Sequence, residues 1–232
     1  MQMPSPLSFD FAPWRLTGTV YGTLLNDPAA LEALGDAVHA APYKAPPRAP
    51  VLYVKPRNTL AGHAATTPVP ANAPALEIGA ALGIVIGRAT CRVRAQDAMA
   101  HIAGWTLVAD LSVPHDSFYR PSVRFKALDG SCLLGPRVVP VQAIADPDAL
   151  TLTVATPGSG VQHFTTGGML RGVARLLQDV SAFMTLSAGD VLMLGVKAGA
   201  PQAKAGERFS VDCAQIGSLQ GQLVAEVQEV TA

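Results

Sequence analysis

The amino-acid sequence predicts a strand-rich α+β fold, and three observations carry this prediction. Short runs rich in Val, Ile and Leu recur along the chain, as is typical of β-strands. About three segments with helical spacing are interspersed among them, without regular alternation. The 232 residues contain no repeats, heptads or low-complexity tract, and a chain of this length can bury a core of its own. We therefore predict an N-terminal tail over residues 1–16 and a single domain over residues 17–232.

The three helices are predicted from spacing and capping signals. Asp27 and Pro28 are typical of an N-cap and a first helical position, and apolar residues then recur at helical spacing. A second helix is expected over residues 95–103, where Gly104 would end it. The third is expected over residues 169–184, because their apolar side chains fall on one helical face.

The strands are predicted from β-branched and apolar content. They are expected at residues 17–25, 51–54, 82–87, 105–111, 149–155, 191–194, 209–211 and 219–227. The proline-rich residues 41–50 predict an extended connector, and Pro68, Pro70 and Pro74 predict a long loop. Residues 112–126 are expected to form an irregular loop and strand.

Composition excludes two classes of function. The 17 basic and 17 acidic residues cancel, so the chain lacks the basic surface that nucleic-acid binding requires. No apolar run reaches the roughly 18 residues of a membrane span, and the N-terminus does not resemble a secretory signal. Cys91, Cys132 and Cys213 are far apart and match no metal spacing, which is typical of reduced thiols in a cytoplasmic protein.

Charged residues concentrate between Trp105 and Gly130, although only 15% of the chain is charged. This segment contains Asp110, Tyr119, Arg120 and Lys126 among apolar residues, and Lys55 and Arg57 follow another apolar run. Unpaired buried charges cost several kcal/mol, so such cations usually meet a carboxylate or a ligand. We expect a pocket for a small, multiply charged acid, in which Lys55, Arg57, Tyr119 and Arg120 bind carboxylates.

Structural alternatives exist for each of these residues. Lys126 could form an ion pair with Asp110 or Asp129, and Tyr119 with Arg120 could be a corner bonded to the backbone. Lys55 and Arg57 could be an exposed, solvated pair. His63 and His115 lie in loops near the expected pocket and could move protons, although histidines are more often surface residues.

Several sequence blocks resemble the fumarylacetoacetate hydrolase family. They are A-P-Y-K-A-P-P-R-A-P-V-L-Y-V-K-P-R-N-T, V-I-G-R-A-T-C-R-V, A-G-W-T-L-V-A-D, Y-R-P-S-V-R-F-K-A-L-D-G and L-S-A-G-D-V-L-M-L-G, in the family's order. The resemblance is strongest to the N-terminal half of the family's bifunctional decarboxylase/isomerases of bacterial homoprotocatechuate (4-hydroxyphenylacetate) catabolism, which some bacteria encode as a separate subunit. It implies a mixed β-sheet roll with about three helices, and a cytoplasmic dimer, formed with itself or with a paralogous subunit.

The sequence departs from the family at its metal site. In the family an E-x-E pair and an Asp hold a divalent ion such as Mg²⁺, but the two Glu positions fall on Gly79 and Ala81, and only Asp110 remains. We therefore expect no cofactor in this chain and Mg²⁺ in a paralogous partner. Glu77 lies two residues before Gly79 on the same predicted strand face, so a weak metal site rescued by Glu77 stays open.

Two further departures disfavour C–C bond hydrolysis. Ala30 falls near the histidine position of the hydrolytic His-x-x-Glu dyad, and the late G-T-P turn reads Gly195-Val196-Lys197. The resemblance instead implies isomerisation of 2-hydroxyhepta-2,4-dienedioate to 2-oxohept-3-enedioate, after decarboxylation of 5-oxopent-3-ene-1,2,5-tricarboxylate. It implies that Lys126, with Asp110, carries the chemistry and that Thr166 helps to bind a carboxylate. The alternative is a catalytically degenerate subunit that supports a metal-bearing paralogue.

Overall fold

The structure is a computed structural model that describes residues 18–119 and 123–226. The predicted tail over residues 1–16, Arg120 and Pro121 lie outside the described residues. The strands are β1 Val20–Leu24, β2 Val51–Lys55, β3 Leu60–Ala61, β4 Ala65–Val69, β5 Leu76–Ile86, β6 Ile102–Ser112, β7 Cys132–Pro140, β8 Thr151–Thr156, β9 Gly160–Thr165, β10 Val191–Met193, β11 Gln202–Ala203, β12 Arg208–Cys213 and β13 Gly217–Ala225. The α-helices are α1 Pro28–Glu32, α2 Val123–Lys126 and α3 Val173–Ser181.

These strands form two mixed sheets. The larger has the order β2-β1-β10-β5-β6-β7-β3, with β11 paired to β5, and the smaller has the order β4-β13-β12-β8-β9. Most pairs are antiparallel, whereas β1 with β10, β3 with β7 and β4 with β13 are parallel. The predicted strand-rich α+β class with mixed sheets and few helices is therefore confirmed.

The main core lies between the two sheets and beneath α3. Its buried side chains come from both sheets, for example Ile84, Trp105, Leu152 and Leu219, and from α3, for example Leu176. Side chains alternate across a strand, so the even-numbered residues of β5 enter this core. The odd-numbered residues face the other side of the large sheet, where a smaller apolar cluster and the candidate site lie.

The helices are shorter than the sequence predicts, because tertiary contacts interrupt them. The third begins at Val173 because the N–H groups of Leu170 and Arg171 donate to the backbone and side-chain oxygens of Asn26. The first predicted helix ends at Glu32. Gly35 has a positive φ, which an α-helix cannot contain, and a 3₁₀ helix over Gly35–His39 takes the place of the second half.

The second predicted helix and the role of Gly104 need correction. Residues Ala95–His101 form a 3₁₀ helix, and β6 begins directly after it at Ile102. Gly104 therefore lies inside β6 and ends no helix. A Cβ there would lie 2.2 Å from the carbonyl oxygen of Val139 on β7, so the glycine permits close approach of two strands.

Each predicted strand is present in the structure. The further strands β4 and β7 contain proline or glycine and were not predicted. Strand β4 contains Pro68 and lies at the edge of the small sheet, where a missing N–H is tolerated. Strand β7 contains Gly135-Pro136, next to a register shift against β6. Residues 123–126 were expected in a strand and instead form α2. Among the described residues, no helix combines the length and apolar character needed to cross a membrane.

Candidate active site

A buried carboxylate, Asp110, is the centre of the candidate site. It lies near the end of β6, opposite Gly79 of β5, and is only 1% exposed. The ammonium group of Lys55, at the end of β2, lies 2.9 Å from Asp110 Oδ1. The ammonium group of Lys126, at the end of α2, lies 2.7 Å from Oδ2, and the hydroxyl of Tyr53 donates a hydrogen bond to the same oxygen. The structure thus brings both predicted catalytic residues together.

The two lysines differ in how many of their donors are used. Lys55 Nζ donates to the carbonyl oxygen of Lys126, to Ser131 Oγ at 3.1 Å and to the Ser131 carbonyl oxygen at 3.5 Å. An ammonium group has three N–H donors, so these three acceptors saturate Lys55, which is 1% exposed and also forms the ion pair with Asp110. Lys55 therefore belongs to the interior, and its binding of substrate stays a prediction.

Lys126 has capacity left for a ligand. Its ammonium donates to Asp110 and lies 5.0 Å from the centroid of the Tyr53 ring, and its side chain is 10% exposed to a cavity. Two ammonium groups and one carboxylate leave one positive charge in excess. An excess buried charge next to a cavity is stabilised by an anionic ligand.

The environment fixes the protonation states of this cluster. Burial alone would raise the pKa of Asp110, but the ammonium groups of Lys126 and Lys55 and the hydrogen bonds outweigh it and hold that pKa well below its ordinary value. Burial, followed by the charge of Asp110, raises the pKa of Tyr53 well above its ordinary value. Near neutral pH Asp110 is ionised and Tyr53 keeps its proton.

The cavity beside Lys126 has a volume of about 370 Å³, within the range of small-molecule sites. Residues of β1 and α1 form an apolar wall, and the loop over residues 196–200 forms another. Its polar side chains are Thr23, Tyr53, Glu77, His115, Asp116, Lys126 and Lys197. Ala30 also lines the cavity, at the position that the resemblance gives to a hydrolytic histidine. C–C bond hydrolysis therefore lacks its histidine base at this position.

The loop over residues 196–200 is held in place by Asp27. The Asp27 carboxylate accepts hydrogen bonds from Lys197 Nζ at 3.1 Å and from the Ala198 N–H at 2.8 Å. Asp27 is thus at the predicted N-cap position of α1, but its side chain holds this loop and makes no capping bond. The loop in turn places Val196 over Gly79, where an added Cβ would lie 3.0 Å from a Val196 methyl group and 2.9 Å from the Asp110 carbonyl oxygen.

The residues at this place do not fit the divalent metal of the family. A hard cation needs several oxygen ligands, but Asp110 is already bound by two ammonium groups and a phenol. Val196 fills the space beside Gly79, and Ala81 is buried among apolar side chains. Within residues 18–119 and 123–226, no three His, Cys, Asp or Glu side chains are grouped as a metal site would require. Cationic side chains surround Asp110 at this place, whereas the metal ligands of the family are anionic carboxylates.

The other predicted substrate ligands within the described residues do not line this cavity. Arg57 is exposed and is absent from the described lining of the cavity. Tyr119 is 48% exposed, and its ring contacts the Tyr43 ring at 6.0 Å, while Arg120 lies outside the described residues. Thr166 is 2% exposed; its hydroxyl donates to the Pro147 carbonyl oxygen and accepts the Leu150 N–H, each at 2.8 Å. Both bonds tie the Thr166 hydroxyl to the backbone of residues 147–150, which supports a structural role.

Three cavity residues carried weak signals in the sequence. Tyr53 is one apolar residue of a strand, although a buried tyrosine usually has a hydrogen-bond partner. The sequence predicts Glu77 only as a rescuing metal ligand, and His115, like His63, as a loop histidine that could move protons. What the three residues share is that they line one cavity, although they are far apart in sequence.

The strand-rich fold and its cavity with a lysine ammonium group are typical of a protein that binds a small anionic molecule. The sequence comparison then identifies the family. The chain belongs to the fumarylacetoacetate hydrolase family: residues 19–224 match the family described as Fumarylacetoacetate (FAA) hydrolase C-terminal. It is 35% identical over 216 residues to the 4-hydroxyphenylacetate degradation bifunctional isomerase/decarboxylase of Escherichia coli, in a match that covers 93% of this chain and 49% of the relative. The chain therefore spans about half the length of the curated relatives it matches.

Solved structures agree with this assignment. The 5-carboxymethyl-2-hydroxymuconate delta-isomerase from Mycobacterium smegmatis superposes with a TM-score of 0.76 at 29% identity, covering 92% of this chain and 81% of that chain. The 2-hydroxyhepta-2,4-diene-1,7-dioate isomerase from Mycobacterium marinum gives 0.73 at 27% identity, covering 92% and 77%. Relatives of this chain are thus isomerases and an isomerase/decarboxylase of one family.

Proposed function

We propose that this chain is an isomerase that converts 2-hydroxyhepta-2,4-dienedioate to 2-oxohept-3-enedioate. In the proposed pathway step, the substrate forms by decarboxylation of 5-oxopent-3-ene-1,2,5-tricarboxylate. The observation that carries the proposal is the ammonium group of Lys126, which contributes the excess positive charge of a buried cluster at the wall of a cavity of suitable size. One carboxylate of the diacid complements that charge.

The reaction requires a proton to move from oxygen to carbon. Removal of the hydroxyl proton at C2 gives a dienolate, and protonation at C5 gives the 2-oxo-3-ene product. Lys126 can donate an N–H to the developing enolate oxygen, in a partly dry cavity where such an interaction is strong. Asp110 holds Lys126 in position, so the donor is oriented before substrate binds.

The relatives support this choice of reaction. The names of the Mycobacterium marinum and Escherichia coli relatives include this isomerisation or an isomerase/decarboxylase pair. Both the decarboxylation and the isomerisation pass through an enolate, so the same ammonium group would serve either step. The chain matches only about half of the bifunctional relative, and we assign it the isomerisation.

A second candidate function is favoured by the contact between Gly79 and Val196. This contact fills the space of a family metal ligand, as expected of a subunit that supports a metal-bearing paralogue without catalysing a step. The partner would be a paralogous chain that retains the E-x-E pair.

Ultraviolet-monitored ketonisation of the dienol by the purified chain separates the two candidates. We expect turnover above the uncatalysed rate that is unchanged by EDTA. No turnover by the chain alone, restored only by an added E-x-E paralogue and Mg²⁺, would instead establish the supporting role. Turnover of the chain alone that disappears with EDTA would contradict both candidates, because the chain would then hold a metal of its own. Spontaneous ketonisation, measured with heat-denatured chain, is the blank.

A further inference from the structure

Glu77 is a half-buried carboxyl group on the cavity wall, and neither the fold nor the Asp110 cluster uses it. It lies near the start of β5, opposite Ser112 of β6, and Ser112 Oγ donates a hydrogen bond to Glu77 Oε2 at 3.4 Å. It faces the same side of the sheet as Gly79, two residues later. Its carboxyl group is close enough to Lys126 and His115 for their charges to act on it.

His115 presents a buried acceptor on the same cavity. Its Nδ1 lies 2.9 Å from the Val113 carbonyl oxygen, which can only accept, so Nδ1 carries the proton. In the neutral ring Nε2 is then an acceptor. Nε2 is buried and has no hydrogen-bond partner in the described part of the chain. The ring is stacked on Phe125 at 4.8 Å with an interplanar angle of 9°, which fixes its direction.

We propose that Glu77 is the proton-transfer residue of this cavity and that His115, through Nε2, positions the carboxyl group during the transfer. This proposal rests on the proposed isomerase function. The ionised Glu77 takes the C2 hydroxyl proton, which gives the dienolate and a neutral carboxyl group. The carboxyl group then returns a proton to C5, where the new C–H bond forms as the C4=C5 bond shifts to C3=C4. One proton leaves oxygen and one reaches carbon, so Glu77 ends as it began.

Asp110 and Tyr53, two other acidic groups at this wall, are poorly suited to this role. The pKa of Asp110 is held far too low for it to take a proton near neutral pH. The pKa of Tyr53 is raised well above its ordinary value, so Tyr53 is a poor base there. A general base works best when its pKa is near the working pH.

Substrate binding would strengthen Glu77 as a base. Burial raises the pKa of Glu77 above its ordinary value, and the charges of Lys126 and His115 act in the opposite direction. An anion bound to Lys126 offsets the positive charge that lowers this pKa. The titratable groups around Glu77 are Lys126, His115 and Asp110, with Asp116 and Lys197 on the same cavity.

The first test is Glu77→Gln, which keeps the shape and removes the base. We expect kcat for ketonisation to fall about 100-fold, the usual contribution of general acid–base catalysis, while KM changes less than about threefold. The acid limb of the pH–rate profile should disappear. Glu32→Gln, at an exposed position on α1, is the matched control. An active wild-type chain with equal kcat in both variants would overturn the role of Glu77 and leave the isomerase function standing.

His115→Phe tests positioning, because it keeps a ring on Phe125 and removes Nε2. We expect kcat to fall about tenfold, within the range of lost hydrogen bonds. The acid limb should also shift, because the Glu77 carboxyl group loses its polar neighbour Nε2. A purely structural histidine would lower kcat without moving that limb.

A turnover-independent test keeps the proposal separate from the isomerase function. Heptanedioate, the saturated seven-carbon diacid, should bind with proton uptake at pH 5.5, measured by calorimetry in two buffers of different ionisation enthalpy. The uptake should fall by at least half in Glu77→Gln and stay unchanged in Glu32→Gln. Equal uptake in both variants would overturn the proposal even if the chain ketonises the dienol. Proton uptake through Glu77 in a chain without turnover would instead remove only the isomerase function, and a chain that fails to bind heptanedioate would contradict both.

Discussion

Lys55 and Lys126 contact the two oxygens of one carboxylate, yet they serve different regions of the molecule. Lys55 lies on the interior side, where three backbone or hydroxyl acceptors use all its donors and Asp110 is its ion-pair partner. Lys126 lies on the cavity side, where Asp110 fixes its position and a ligand can reach it. The same residue type is therefore structural on one side and available for chemistry on the other. The number of ammonium N–H groups already used in hydrogen bonds distinguishes the two lysines, whereas their charge does not.

Removing the interior lysine should have the largest effect on stability. Lys55→Met removes one of the two donors to the Lys126 carbonyl oxygen, the other being Ser131 Oγ, and takes one cation from Asp110. Breaking a buried ion pair in this way costs about 3–5 kcal/mol of the free energy of unfolding. Urea denaturation measures this loss, with the exposed Lys204→Met as control. A loss below about 1 kcal/mol would show that Lys55 is not the structural member of the pair.

Gly79→Ala tests how tightly the cavity side is packed. The new Cβ would lie 2.9 Å from the Asp110 carbonyl oxygen and 3.0 Å from a Val196 methyl group. We expect a loss of about 1–3 kcal/mol, typical of overpacking, part of which Val196→Ala should restore in a double-mutant cycle. Gly158→Ala is the matched control, because nothing lies within 4 Å of a Cβ there. Equal stability of the two alanine variants would mean that the space beside Gly79 remains open.

The pH dependence of stability should be weak above the ordinary pKa of an aspartate. The pKa of Asp110 is lower in the folded than in the unfolded chain, so its stabilising contribution is complete above about pH 4 and declines only as the pH falls toward the folded pKa. The free energy of unfolding attributable to Asp110, taken as the difference from Asp110→Asn, should be equal at pH 7 and pH 5.5 and smaller at pH 3. A difference that shrinks between pH 7 and pH 5.5 would place the folded pKa of Asp110 much higher.

Arg57→Ala should have the smallest effect. Arg57 is two residues beyond Lys55 but is exposed, and the described lining of the cavity does not include it. We expect stability within about 0.5 kcal/mol of the wild type and KM for the dienol within about twofold. A tenfold rise in KM would return Arg57 to the substrate site and would extend the cationic region beyond Lys126.

Local pattern predicted most of the fold, because β5 and β6 are apolar on both faces and leave little choice of structure. It overestimated α3, since the competition of Asn26 for the N–H groups of Leu170 and Arg171 comes from a distant part of the chain. At the site, Asp110 and Lys126 were predicted together. The sequence contains no information on how many donors Lys55 has left, so it cannot distinguish a structural Lys55 from a substrate ligand.

The contribution of Lys126 to turnover is the most direct test of the account. Lys126→Met keeps the length of the side chain and removes its charge, while Lys55 and Tyr53 still bind Asp110. We predict that kcat/KM for dienol ketonisation falls about 100- to 1,000-fold, as when an oxyanion donor is lost, in a chain that urea denaturation shows to be folded. A folded Lys126→Met variant with the turnover of the wild type and of Lys204→Met would contradict the central claim.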